Sequence, residues 1–179
     1  MRIRACQILG FVMLAIILGE LFICCKSRAI SIKPVSNFDA EKYLGNWYEI
    51  ARFDFMFEKD LSNVRAKYSM NRDGTINVVN SGYDLSSGKL KSRLGKAKFA
   101  GDKNTGALKV SFFRPIYSQY NIIALDPQYK YAMVCGNSYD LLWILSRTPT
   151  IPDEVRKEYL SLAQELGFNT DKLVWTVQN

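Results

Sequence analysis

The chain has 179 residues, is 48% apolar and carries a formal net charge of +7, which is enough for one domain with its own core. It has no histidine, so the commonest general base, the Ser-His and Cys-His nucleophile pairs and the imidazole ligand of most zinc, haem and copper sites are missing. Basic and acidic residues are interspersed without an arginine-rich groove; the basic excess is compatible with an anionic membrane surface, and no nucleic-acid partner is expected.

Residues 1–25 read as a signal peptide: Arg2 and Arg4 precede a mostly apolar run from Ile8 to Gly19, followed by Glu20 and "LFICC". The uninterrupted run is shorter than the roughly 20 residues of a bilayer span, so cleavage is expected ahead of an uncleaved anchor reaching from Ile8 to Cys25. Cys25 stands where a lipoprotein signal places its lipid-modified (palmitate-bearing) cysteine. Cys24 is the alternative, and ordinary secretion with nearby cleavage is the competing reading. Once the preceding residues are removed, only Cys25 and Cys135 remain, so no internal disulfide framework is expected once Cys25 is acylated. Loss of Arg2, Arg4 and Glu20 leaves 22 basic against 16 acidic residues, or +6. Residues 26–36 read as a tether, and 37–179 as the domain.

"NFDAEKYLG" predicts one short helical turn capped by Asp39 and stopped at Gly45. A first strand over 47–53 leads into a long loop carrying Phe55, Met56 and Phe57. "NVRAKYSM" and "TINVVNSGY" alternate apolar and polar residues around the Asp73-Gly74 hairpin turn. A lysine-studded strand ending near Phe99 follows, then "ALKVSFF", "YNIIALD", "YKYAMVCG" and "YDLLWILS". Eight strands in up-and-down antiparallel order can close into a barrel sized for one small ligand. The last of them is apolar on both faces and needs an outer cover. The cover is a helix with Pro152 at its first position, Asp153 and Glu154 at its positive end, and Val155, Tyr159, Leu162 and Leu166 at helical spacing before Gly167. "KLVWTVQ" predicts a short ninth strand.

"GNWYEIARFD", "LDPQYKYAMVCG" and "WILSRTP" resemble, in order and spacing, the three motifs of the lipocalins, and the chain over about residues 35–178 is similar to the bacterial lipocalin lipoproteins. The resemblance implies an all-β calyx in which Gly45 and Trp47 mark the closed end. It also implies that Arg147 lies over the Trp47 indole, a stack worth about 0.5–2 kcal/mol, and that Asp126, Tyr129 and Tyr131 help to build that end. It further implies a lipid ligand, fatty acid or lysophospholipid, and a lipid-anchored protein of the bacterial outer membrane facing the periplasm, monomeric or homodimeric.

The same resemblance puts the aromatic residues Tyr117 and Trp143 near the cavity and its mouth. Strand parity groups Glu49, Ala51 and Phe53 with Trp47 on the inner face. Phe53 and Tyr68 are therefore candidate wall residues, and Ala51→Trp is a candidate cavity block. Arg114 is a candidate headgroup contact, and Lys89, Lys91, Arg93, Lys96, Lys98 and Lys103 form a basic cluster. Glu49 is either a satisfied structural carboxylate or a polar contact deep in the cavity. No cofactor and no metal are expected. Two other functions compete: an envelope interaction protein with a vestigial cavity, and an enzyme using Cys135, which lacks a histidine partner.

Overall fold

The computed structural model describes residues 31–54 and 58–179. The signal peptide, Cys24, Cys25 and the loop aromatics Phe55 and Phe57 lie outside the described residues. A four-residue helix α1 (Ala40–Tyr43) is capped by the Asp39 carboxylate, which accepts from the Glu41 and Lys42 amides. It leads directly into β1 (Gly45–Phe53). The next strands are β2 (Leu61–Met70), β3 (Ile76–Asp84), β4 (Leu90–Phe99), β5 (Ala107–Phe113), β6 (Ile116–Leu125), β7 (Tyr131–Cys135) and β8 (Leu142–Ser146). Each pairs antiparallel with its neighbour, and β1 pairs with both β8 and β2, so the eight strands close on themselves. The long helix α2 (Asp153–Glu165) and β9 (Leu173–Trp175), which pairs on β1, complete the fold. Closure removes the free sheet edges of these strands.

The interior and the outer wall have separate apolar clusters. Trp47, Tyr43, Ile76, Leu108, Ile122 and Val134 pack at the inner base. Ile50, Met133, Leu142 and Ile144 pack outside against Tyr159 and Ala163 of α2. The two-faced apolar character of β8 follows from this division: Leu142 and Ile144 face the helix, whereas Trp143 and Leu145 line the interior. Pro152 is the residue before the helix rather than its first turn, with φ −61° and ψ 149°; Gly167 ends the helix at φ +93°. An extended ψ at Pro152 is the ordinary geometry of a residue that precedes a helix.

Parity fails in β1, and this failure relocates two expected cavity residues. Glu49 pairs with Leu145, but Ala51 pairs with Ile144, a bulge that adds one residue to β1. Trp47 and Glu49 face inward, but Ala51 and Phe53 turn outward into the cluster beneath α2, where the Phe53 and Phe168 rings stand 6.2 Å apart. Phe53 is therefore not a wall residue of the cavity. Ala51→Trp would wedge the helix off the barrel instead of filling the interior.

Candidate functional site

The closed end of the barrel is held by one arginine and one tryptophan. The Arg147 guanidinium carbon lies 3.8 Å from the Trp47 ring centroid. Its nitrogens donate to the carbonyls of Asn46 (2.7 Å), Lys42 (2.8 Å) and Tyr129 (3.2 Å). The indole N–H of Trp47 donates to the Tyr43 carbonyl at 2.8 Å. Gly45 adopts φ +94°, a conformation that favours glycine, and a Cβ there would stand in ordinary contact, 3.4 Å from Arg147 Nη1. Asp126 accepts from the amides of Gln128 and Lys130, fixing the turn that presents Tyr129; the Tyr129 hydroxyl accepts from the Asp39 amide at 2.8 Å. Tyr131 pairs with Ser146 and packs with the outer cluster.

Above this floor lies a cavity of about 720 Å³, walled by Val64, Ala66, Val78, Leu108, Val110 and Leu145 among others. This volume is within the range of about 300–1,000 Å³ that small-ligand sites occupy; the interior has not collapsed. Its base carries three linked phenols: the Tyr120 hydroxyl lies 2.8 Å from that of Tyr43 and 2.9 Å from that of Tyr68. Burial keeps them neutral, raising Tyr43 well above its ordinary value and pushing Tyr68 up to about 12.

The wall also carries a buried charged network. Arg52 Nη1 donates to Glu49 Oε1 at 2.7 Å, Thr176 Oγ1 donates to the same oxygen at 2.6 Å, and Arg52 Nη2 donates to the Glu58 carbonyl at 2.6 Å. Strict alternation would put residues 49 and 52 on opposite faces; the bulge lets them meet. Glu58 accepts from Trp143 Nε1 at 2.9 Å. Glu49 is thus both a satisfied structural carboxylate and part of the cavity lining.

The two carboxylates share the single positive charge of Arg52. Burial first, and the Glu58 charge second, push Glu49 up to about 7, partly offset by Arg52 and Thr176; burial raises Glu58 as well. A carboxyl whose folded pKa lies above its unfolded value stabilises the fold most at low pH, and its contribution is lost as pH rises through the folded pKa. Stability is therefore expected to fall as pH rises from the ordinary glutamate value, about 4.5, to about 7. Glu49→Gln should flatten this slope in chemical denaturation; an unchanged slope would remove Glu49 as its source.

Among the expected ligand residues, Tyr68 and Trp143 line the cavity, and Tyr117 and Arg114 do not. On β6 the cavity is lined by Ile116, Ser118, Gln119 and Tyr120 and not by Tyr117, whose ring centroid lies 4.3 Å from Lys98 Nζ. Arg114 is exposed in the β5–β6 turn and borders an outer groove with Asn77 and Lys96. The basic cluster also divides. Lys91 and Arg93 reach the cavity mouth, with Lys91 ion-paired to Asp84, whereas Lys96 pairs with Asp73 at 2.7 Å on the outer face and Lys103 lies near Phe99. Tyr120, Glu58 and Asn80 are lining residues that the sequence reading missed. For Tyr120, its place two residues beyond Ser118 was the available signal.

Cys135 is buried in the outer cluster, and desolvation pushes its thiol up to about 12. An activated nucleophile requires the opposite shift.

A sequence profile described as a Lipocalin-like domain matches residues 38–178. The chain is 50% identical over 169 residues to "Outer membrane lipoprotein Blc" of Citrobacter freundii, covering 93% of this chain and 96% of that protein. It is 51% identical over 162 residues to the protein of the same name from Escherichia coli K12, covering 88% and 90%. Among solved structures, insecticyanin from the tobacco hornworm Manduca sexta superposes with a TM-score of 0.69 at 21% identity, over 84% of this chain and 86% of that one.

Proposed function

The chain belongs to the lipocalin family, whose members bind small hydrophobic ligands, and on that premise we propose that it binds a single-chain lipid, a fatty acid or lysophospholipid, for storage or transport in the cell envelope. The observation that carries this reading is the open interior of about 720 Å³ with predominantly apolar walls, aliphatic and aromatic. Transfer of an acyl chain from water into such a wall gains about 0.8 kcal/mol per methylene, so a dozen methylenes supply roughly 10 kcal/mol before ordering costs. The phenol trio at the base and the Glu58–Trp143 pair on the wall give the ligand fixed polar neighbours. Tyr68 and Trp143 are the contacts proposed for it. We place the protein on the periplasmic side of the outer membrane, anchored through an acylated Cys25 with Cys24 as the alternative, by analogy with the two relatives named outer membrane lipoprotein.

The test is titration with a lysophospholipid while tryptophan emission is followed. One-to-one saturable binding is expected, and Trp143→Ala should weaken it about tenfold by removing ring area and freeing the Glu58 carboxylate. A signal that does not saturate, or affinity unchanged in Trp143→Ala, would count against this placement of the ligand.

A further inference from the structure

The turns at the open end present apolar side chains to solvent. Leu85 is 64% exposed, Leu90 60%, Phe113 58% and Ile116 72%. Leu85 lies in the β3–β4 turn, and Leu90, Phe113 and Ile116 are the strand ends that flank it and the β5–β6 turn, on the rim of the cavity; the backbone amide of Leu85 is tied to the Asp60 carbonyl, and Phe113 and Ile116 also line the mouth. Four large apolar groups so exposed at one end form the kind of patch that marks a contact surface.

The charge on these two turns and their flanks is mostly basic, and the adjoining β1–β2 loop adds the exposed Lys59 and Asp60. Segments 83–93 and 113–116 carry Lys89, Lys91, Arg93 and Arg114 against the single carboxylate of Asp84, which is buried and paired with Lys91. Apolar groups set among cations match a surface with an anionic headgroup layer over an acyl interior. A purely apolar partner surface would desolvate the exposed Lys89 and Arg114 without counter-charges.

We propose that the open rim docks onto an anionic phospholipid bilayer, seating the cavity mouth at the headgroup level so that a single-chain lipid passes between membrane and calyx without crossing water. The length of the N-terminal segment allows this. Val35 is fixed near the closed end by bonds to Gly106 and Ile122. Cys25 stands ten Cα–Cα steps before Val35 and seven before Ile32, which packs on the outer cluster; the whole segment reaches at most about 35 Å from Val35 when extended. The ten-residue strand β6 is about 33 Å long. An anchor at Cys25 therefore lets the barrel turn its mouth toward the bilayer that holds it and keeps the rim at high effective concentration there. This tether argument rests on the lipoprotein reading above; the rim's own chemistry does not.

The test uses the chain from Ser27. Among the described residues both core clusters fall between Ile32 and Trp175, so this chain retains the whole barrel. Flotation with phosphatidylcholine vesicles, with and without phosphatidylglycerol, should show salt-sensitive binding that needs the anionic lipid. The double variant Leu85→Ser, Leu90→Ser should lower the vesicle-bound to free ratio about tenfold. Neither leucine lines the cavity, so lysophospholipid affinity should stay within about twofold of the parent. Equal flotation of parent and variant, or no flotation of the parent, overturns the proposal. So does a variant that loses only self-association in sedimentation velocity, because a second copy of the chain then covers the rim. Vesicle docking without calyx binding would instead refute the carrier reading while leaving the docking surface in place.

Discussion

Ser118→Trp is expected to remove most of the affinity for acyl lipids while leaving the barrel folded. Ser118 sits on β6 between Ile116 and Tyr120, all three lining the cavity, and its side chain is solvent-accessible there. An indole at this point enters the lumen without displacing a close-packed neighbour. If it takes the space of about five methylenes at ~0.8 kcal/mol each, roughly 4 kcal/mol is lost, several hundredfold in Kd. Thermal unfolding should remain close to that of the parent. A parent-like Kd in a folded Ser118→Trp protein would show that the lipid does not use the lumen. Ala51→Trp is the contrasting change. Its ring would press on α2, where overpacking costs about 1–3 kcal/mol, and any loss of binding would follow a loss of stability.

Arg147→Ala carries the largest expected effect on stability. The side chain joins the end of α1, the start of β1 and the β6–β7 turn through three carbonyls, and it covers the face of Trp47. Hydrogen bonds from a charged donor contribute about 1.5–3 kcal/mol each when well shielded. Arg147 is only half-buried and solvent replaces part of what is lost, so about 3 kcal/mol is a reasonable expectation for the whole assembly. In a chain of this size that corresponds to a fall in Tm of about 6–12 °C. Arg147→Lys should recover less than half of it, because an ammonium cannot lie flat on the indole while reaching three separate carbonyls. Full recovery by lysine would mean that charge alone holds the closed end.

The closed end was legible in the sequence because its constraints are local and chemically unusual. A glycine at φ +94°, a tryptophan two residues on and a distant arginine after an apolar strand are scarce residues in fixed roles. Helix α2 was legible through the two-faced apolar strand that requires a cover. The cavity wall was less so, because its pattern depends on phase. A single extra residue in β1 turned Ala51 and Phe53 outward and brought Arg52 to Glu49, and period-two counting has no means of registering it. The spacing of Glu49 and Arg52 was a usable clue: an acid and a base three apart in a strand can pair at 2.7 Å only if alternation breaks between them. Tyr117 and Tyr120 present the same problem of phase, with aromatics available on either face of β6. Glu58 arrives from the loop between β1 and β2, and its bond to Trp143 spans 85 positions, which no local pattern encodes.

The interior network links the two levels. Desolvation makes the second carboxylate costly beside one guanidinium, and the same polar groups stand on the wall of a cavity whose remaining surface is mostly apolar. A ligand that covers this wall lies beside a buried carboxyl already pushed up to about 7. Lipid occupancy and the protonation of this network should therefore be coupled.

Native mass spectrometry of the chain purified without detergent, with extraction and identification of what it carries, tests the central claim most directly. A one-to-one adduct with the mass of a single-chain lipid is expected in the parent protein and absent from Ser118→Trp. An adduct of equal occupancy in both proteins, or a parent that carries none and takes up neither fatty acid nor lysophospholipid when these are supplied, would contradict it.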